Sequence, residues 1–407
     1  MSLDALTAEV LARCEALTRF SEEPGRLTRT FLRPPVRDAH DALTGWMRAA
    51  GLAVRRDAVG NLIGRRPGRG GRVVVVGSHI DTVPDAGKYD GVLGVLLGVA
   101  AAQALAGRTS PRTLDVVAFA EEEGVRFRTP YLGSRAVCGR FDPELLTLTD
   151  AAGVTLAQAL RDFGLDPAEL PTAAYPPGQV AAYVEAHIEQ GPCLEALDRP
   201  LGVVRAIIGQ SRFLLRFVGR AGHAGTQPME LRRDALAAAA AFVIAVERTA
   251  RATAGLRATV GRLTVAPGAV NVVPGEAELS LDVRHADDAV RARAVNDLLA
   301  EAHALASKRE LMLSVEPVAE QPAVALDAAL TERLTAAVRG QGHEPVALDS
   351  GAGHDAAVMA GLCPAAMLFV RSPDGVSHHP DESVRPEDVR AALGVLVRFL
   401  ETELNAE

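Results

Sequence analysis

The chain has 407 residues, 48% of them hydrophobic and 23% charged, enough apolar material for two domains with proper cores. A net charge of −8, with no basic stripe interleaved with aromatics, excludes a nucleic-acid partner. No stretch reaches the ~18 uncharged apolar residues of a membrane helix, and the acidic Asp4 and Glu9 argue against a signal peptide, so the expectation is a cytoplasmic protein.

A helical region over Leu6–Thr18 opens the chain, and the locally basic Arg65–Arg72, rich in glycine and proline, reads as a solvated turn between strands. The β-branched run Val73–Val76 predicts a buried strand, and the apolar block from Val92 to Val99 predicts a buried helix after Gly91. Between them lies Gly77-Ser-His-Ile-Asp-Thr-Val-Pro-Asp-Ala-Gly-Lys-Tyr-Asp90. Ligands of open α/β sheets sit outside the carboxyl ends of strands, which puts His79 and Asp90 where chemistry is expected. Taken alone, the segment is equally well explained by a His79–Asp81 loop pair with Asp90 capping the helix.

A second strand, Leu114–Ala120, runs directly into Glu121-Glu-Glu-Gly124. An acidic run is usually a solvated face, but three like charges at the end of so apolar a strand repel, and a cation would offset that repulsion. Adjacent carboxylates suit a division of labour in which one binds metal while its neighbour moves protons, and Glu122 and Glu123 are the natural pair. Two further clusters follow strand-like runs: His187-Ile-Glu-Gln-Gly-Pro192 after Val180–Val184, and Ser377-His-His-Pro-Asp-Glu382 after Ala365–Val370. Any one of these histidines has an ordinary structural explanation, whereas four segments delivering His79, Asp90, Glu123, His187 and His378 point to metal. Five ligands exceed what one tetrahedral ion with an open position requires, and a carboxylate bridging two ions accounts for the number. On chemical grounds either His378 or His379 can reach the metal.

From about Val204 the metal motifs pause for over a hundred residues. Phe213–Val218, the alanine-rich Leu231–Ala250, Ala258–Val265, Glu278–Val283, Ala289–Ala306 and Leu311–Val315 read as strand, helix, two strands, helix, strand, a ferredoxin-like plan with a four-stranded antiparallel sheet. The expected organisation is a catalytic domain in two pieces, residues 1–207 and 321–407, around an inserted domain at 208–320. The second piece carries Gly351-Ala-Gly-His354-Asp355 and a final helix after Pro386. Cys14, Cys138, Cys193 and Cys363 lack zinc-ligand spacing and read as reduced thiols, some of them buried.

These motifs, together with Gly222-His-Ala-Gly-Thr-Gln-Pro-Met229, Asn271-Val-Val-Pro-Gly275, Asp282-Val-Arg284 and Ser350-Gly-Ala-Gly-His-Asp-Ala356, resemble the hydantoinase/carbamoylase amidases of the M20 metallopeptidase superfamily over nearly the whole chain. The resemblance implies a two-domain α/β fold, with a mixed-sheet dimetal catalytic domain and a ferredoxin-like lid that also forms a homodimer interface. It implies that Asp90 bridges two divalent ions, that His79 and His187 complete one shell, and that Glu123 and His378 complete the other; the family pattern Ser-His-x-Pro selects His378 over His379. By the same resemblance Glu122 is the general base and Glu121 a flanking residue. Asp81 is then a carboxylate that fixes the His79 tautomer without binding metal. His223 is implied as the donor to a developing oxyanion, Asn271 and Arg284 as the clamp on a substrate carboxylate, and Gln190 as the reader of a carbamoyl amide. His354 and Asp355 either help line the site or form a satisfied glycine-rich turn.

The implied reaction removes the terminal carbamoyl group of a small ureido carboxylate, allantoate or an N-carbamoyl-L-amino acid, with release of ammonia and carbon dioxide. The spellings Gly124-Val-Arg-Phe127, Tyr131-Leu-Gly-Ser134 and Lys88-Tyr-Asp-Gly91 lean toward allantoate. The alternative is an M20 aminoacylase or dipeptidase acting on acyl or peptide amides. The donor set suits Zn²⁺ or Mn²⁺, with Co²⁺ also compatible.

Overall fold

Four strands buried along their whole length, Thr113–Phe119, Val73–His79, Val180–Ile188 and Ala365–Val370, lie side by side in that order and run parallel. Their near-continuous apolar composition follows from being covered on both faces, which leaves no position for a solvated side chain. Antiparallel pairings extend the sheet, through Leu62–Arg66 and then Ala53–Arg56 on one side and Leu201–Ile207 on the other, so the nine-stranded sheet is mixed. The computed structural model describes residues 1–406. Helices Leu3–Leu17, Val92–Ala104, Ala328–Gly340 and Pro386–Asn405 pack on the sheet and on one another over a shared apolar core. The Val92–Ala104 helix lies so close to the sheet that a Cβ on Gly94 would stand 2.0 Å from the Ala186 carbonyl oxygen.

Several elements run past their apolar cores. The strand expected over Val73–Val76 extends to His79, because the parallel ladder continues through Gly77, Ser78 and His79 opposite Val117, Ala118 and Phe119. The strand expected over Val180–Val184 likewise extends to Ile188 and takes in His187. In both, polar side chains near the strand end find partners among themselves and need not leave the ladder. Arg65 is not part of a solvated turn: it lies in the Leu62–Arg66 strand and grips the buried Asp115 carboxylate through Nε at 2.8 Å and Nη2 at 2.6 Å.

Chain contacts divide the molecule into two units, Met1–Arg205 with the C-terminal stretch from Leu326, and Ala206–Ala325. Within the second unit, Glu276–His285 alternates buried and half-buried positions, burying one face, and pairs with Gly209–Val218, which in turn pairs with Met312–Gln321. The single strand expected over Ala258–Val265 is two short strands, Arg257–Thr259 and Leu263–Ala266, pairing with opposite ends of Glu276–His285 and together filling one position of the antiparallel sheet. Helices Ala235–Ala252 and Asp288–Lys308 cover that sheet around Leu215, Phe217, Phe242, Leu279, Leu281 and Leu298. The first helix starts four residues after Leu231, because Asp234 caps it by accepting from Ala237 N, while Met229–Leu231 forms a separate 3-10 turn. A two-stranded ribbon joins Gly222–His223 to Val272–Val273. Among the described residues no helix is long and apolar enough to cross a membrane.

Candidate metal centre

The parallel order of the four central strands brings their carboxyl ends to one edge, and each end delivers a polar residue there. His79 closes one strand, Glu122 and Glu123 follow the next, His187 lies near the end of the third, and His378 follows the fourth. Asp90 comes from the residue before Gly91. That glycine has φ 65°, and a Cβ on it would lie 2.5 Å from the His79 ring, so only glycine lets this turn close against the imidazole.

The two carboxylate oxygens of Asp90 face two different groups. Oδ1 is 3.1 Å from His187 Nε2 and 3.6 Å from His79 Nε2, and Oδ2 is 3.0 Å from His378 Nε2, which lies 3.7 Å from Glu123 Oε1. In each of the sets His79–Asp90–His187 and Asp90–Glu123–His378, one potential ligand atom per residue lies within 4.8 Å of the others. Tautomers are set by backbone carbonyls, which can only accept: His79 Nδ1 is 3.0 Å from Asp81 O, and His187 Nδ1 is 2.9 Å from Ile188 O. With the proton on Nδ1, a neutral imidazole presents its lone pair at Nε2, on the side of Asp90.

Charge is concentrated here with little water to screen it. Burial raises the Glu122 carboxyl well above its ordinary range, and Glu123, Asp355 and Asp81 add to the rise against the pull of His79. Burial and then Asp90 bring Glu123 to about 7. Burial would raise Asp90 too, but hydrogen bonds with His187, His378 and His79 together outweigh it and hold Asp90 well below the usual carboxylate range. His378 rises to about 8, chiefly through its bond to Asp90. Crowded carboxylates of this kind are what divalent cations neutralise, and the mixed imidazole and carboxylate donors fit two such ions.

Asp81 faces both His79 and the glutamates. Its backbone carbonyl, not its carboxylate, meets His79 Nδ1; the carboxylate stands 3.7 Å from that nitrogen and instead accepts from Glu122 N and Glu123 N at 3.1 Å each. Glu121 is not a mere flanking residue. It is fully buried with φ 52°, its Oε1 accepts from Arg126 N and Phe127 N, and its Oε2 has no partner. Gln190 donates from Nε2 to Asp90 Oδ2 at 3.0 Å and to Ser377 Oγ at 3.2 Å, leaving Oε1 buried without a partner. His354 is buried against the His187 ring, with Nε2 2.8 Å from Ser350 Oγ, and Asp355 accepts from Ser134 Oγ at 2.6 Å.

His223, Asn271 and Arg284 belong to the second unit. The two-stranded ribbon brings the first two together, with Ala224 N donating to Asn271 O, and both side chains are exposed. Arg284 lies on the Glu276–His285 strand, where its guanidinium binds Asp282 through Nε at 2.7 Å and Nη2 at 3.1 Å.

Four polar residues near the centre carried no role in the sequence reading. Glu382 accepts from Asp90 N and from Ser377 Oγ and so ties the His378 turn to Asp90. Glu185, buried at the end of an apolar strand, accepts from Ser78 Oγ, Tyr183 OH and Ala356 N; an acid in the run Val180–Ile188 was a legible signal. Arg29 is wholly buried and holds the turn after His79 by donating to Ile80 O at 2.7 Å, while also reaching Leu17 O at 2.9 Å. Its surroundings in sequence are those of any polar loop.

The model of peptidase family M20/M25/M40 matches residues 75–402. An N-carbamoyl-L-amino acid amidohydrolase of Geobacillus stearothermophilus is 43% identical over 376 residues, 91% of this chain and 92% of that protein. A probable allantoate deiminase of Oryza sativa subsp. japonica is 40% identical over 98% of this chain and 89% of its own length. Among solved structures, a hydantoinase/carbamoylase family amidase from Burkholderia multivorans superposes with a TM-score of 0.93 at 32% identity, covering 98% of both chains. With its buried mixed sheet, its two units and its converging histidines and carboxylates, the chain belongs to the M20/M25/M40 family, within the hydantoinase/carbamoylase amidases, hydrolases of linear non-peptide amide bonds.

Proposed function

We propose that this chain hydrolyses the terminal carbamoyl C–N bond of a small ureido carboxylate, an N-carbamoyl-L-amino acid or allantoate, at a centre holding two divalent ions. The observation that carries the proposal is Asp90, whose two oxygens are divided between a His79–His187 group and a Glu123–His378 group. Zn²⁺, Mn²⁺ and Co²⁺ all suit these donors. When bound, the ions supply Lewis-acid polarisation of the substrate carbonyl and acidify the attacking water. Glu122, held by its backbone amide on Asp81, takes the proton from the water and returns it to the leaving nitrogen.

Gln190 supports the ureido assignment. The Asp90 carboxylate requires the NH₂ end of the Gln190 amide, so the oxygen end is left to accept from a substrate N–H, which a terminal carbamoyl group offers and an acetyl group does not. Asn271 and Arg284 hold the substrate carboxylate and His223 donates to the developing oxyanion, all three from the inserted unit acting as a lid. Residues 208–320 are assigned that lid role, between catalytic pieces 1–207 and 321–407. Homodimerisation through this lid is supported by its surface: of the nine exposed large hydrophobic side chains among the described residues, seven, including Met229, Ile244, Val270 and Met312, lie between Ala206 and Ala325. A cytoplasmic location completes the proposal.

The test is ammonia release by manganese- or zinc-loaded protein from allantoate and a panel of N-carbamoyl-L-amino acids, beside N-acetyl amino acids and dipeptides scored for free amino acid. Turnover of one carbamoyl class assigns the substrate. Cleavage only of acetyl or peptide bonds refutes the role given to Gln190 and moves the chain to the aminoacylase side.

A further inference from the structure

The loops that carry Asp90 and His378 are far apart in sequence, and one buried carboxylate joins them. Glu382 Oε1 accepts from Tyr89 N at 2.8 Å and from Asp90 N at 3.0 Å, across 292 residues, while Oε2 accepts from Ser377 Oγ at 3.1 Å. Only 2% of Glu382 is exposed. It occupies space that Gly87 leaves open, since a Cβ there would stand 2.3 Å from Glu382 Cβ and 2.4 Å from Oε1.

The bond to Ser377 reaches further. A hydroxyl has one proton, and with that proton given to Glu382, Ser377 Oγ offers a lone pair to Gln190 Nε2 at 3.2 Å. Ser377 Oγ lies farther from Asp90 Oδ2, at 3.4 Å, so the carboxylate of Glu382 is the nearer acceptor. The direction of this one proton therefore lets Ser377 support the orientation that Asp90 Oδ2 sets from 3.0 Å, with the NH₂ end of Gln190 inward and the oxygen end left for a ligand.

We propose that Glu382 is a positioning residue with two effects: it fixes the Asp90 backbone against the His378 turn, and through Ser377 it reinforces the orientation of the Gln190 amide that Asp90 sets. The inference rests on the two-ion amidohydrolase reading above. Its two effects separate by substitution. Glu382→Ala leaves the N–H groups of Tyr89 and Asp90 without acceptors. Glu382→Gln keeps an oxygen for both amides but turns an NH₂ toward Ser377, which must then accept, so that its own proton turns to Asp90 Oδ2, 3.4 Å away, and competes for the oxygen that holds the Gln190 NH₂.

Metal affinity of chelator-stripped protein, measured by competition with a chromogenic chelator and Zn²⁺ at a temperature well below melting, tests the first effect. Kinetics of carbamoyl hydrolysis test the second. Glu382→Ala is expected to weaken binding by about 10- to 100-fold, as loss of a group orienting a ligand does. Glu382→Gln should bind ions nearly as wild type does, while KM rises about ten-fold, the effect of one misdirected hydrogen bond, and kcat changes less. Should Glu382→Ala not fold, Gly87→Ala displaces the same carboxylate without deleting it and carries the same expectation for metal.

Wild-type affinity for both ions in Glu382→Ala or Gly87→Ala would overturn the role of Glu382 in holding Asp90. An unchanged KM in Glu382→Gln would overturn its role in orienting Gln190. Wild-type protein that binds no Zn²⁺ would remove the two-ion reading itself, and this inference with it.

Discussion

Asp81 offers a substitution whose outcome depends on which of its atoms does the work. The side chain is buried, with both carboxylate oxygens accepting from the amides of Glu122 and Glu123, whereas His79 is held by the Asp81 backbone carbonyl, which no substitution removes. Asp81→Ala therefore deletes the support of the glutamates and spares that of the imidazole. A hydrogen bond to a charged acceptor contributes about 1.5–3 kcal/mol. Both bonds are 3.1 Å long, toward the weak end of the range, so the pair is worth about 3 kcal/mol. If that energy holds Glu122 in its reactive position, its loss lowers kcat/KM by about 10²-fold. Asp81→Asn keeps one acceptor and turns an NH₂ against the other amide, and should fall between the two. Steady-state kinetics and Co²⁺ titration followed by absorption are the assays: the Glu123–His378 group should bind its ion more weakly while the His79–His187 group stays occupied. The converse, with the His79 ion lost and the Glu123 ion retained, would show that the carboxylate orients the imidazole and would refute the argument.

Replacing Glu122 with glutamine removes the proton carrier but leaves every proposed metal ligand, so kcat should drop by about 10²–10⁴-fold with both ions still bound; near wild-type turnover would discard Glu122 as the base. His40 gives a pH prediction away from the centre. It is buried, accepts from Arg56 Nε at 3.2 Å and packs against Phe163; burial and then Arg56 lower it from 6.5 to about 3. Below pH 6.5 the unfolded chain binds a proton that the folded chain refuses, so stability falls as pH drops, by about 2 kcal/mol at pH 5 and further down to about pH 3. Urea unfolding at pH 7 and pH 5 should show that loss in the wild type and a smaller one in His40→Gln; equal losses in both would clear His40. Gly94→Ala places a methyl 2.0 Å from Ala186 O and forces the Val92–Ala104 helix off the sheet, at a cost of about 1–3 kcal/mol in the urea midpoint, and an unchanged midpoint would show that the helix yields freely.

The strand-forming segments of the catalytic sheet were legible in sequence because burial on both faces demands unbroken apolar runs, as in Val73–Val76 and Ala365–Val370, and chemistry concentrates where such runs stop. That regularity led to His79, Glu122, Glu123, His187 and His378 without knowledge of strand order. The family and its α/β fold were legible for the same reason, since the motifs are local. Features that depend on partners were not. The break within 258–265 is set by how two short strands pair with Glu276–His285, and the late start of the helix at Ala235 by a cap that competes with apolar Leu231. Whether Asp81 meets His79 through its carboxylate or its carbonyl is decided by the turn that follows the strand.

Glu382, Ser377 and Arg29 look like ordinary loop residues in sequence, because what distinguishes them is burial beside backbone groups far away along the chain. The sequence by itself determined the apolar runs of the catalytic sheet and the kinds of donor atoms at their ends, both of which follow from local composition. Tertiary structure alone decided which donors face one another and what holds them there. Hydrogen bonds across 51 residues in the case of Arg29, or 292 in that of Glu382, leave no periodic trace in the chain that makes them.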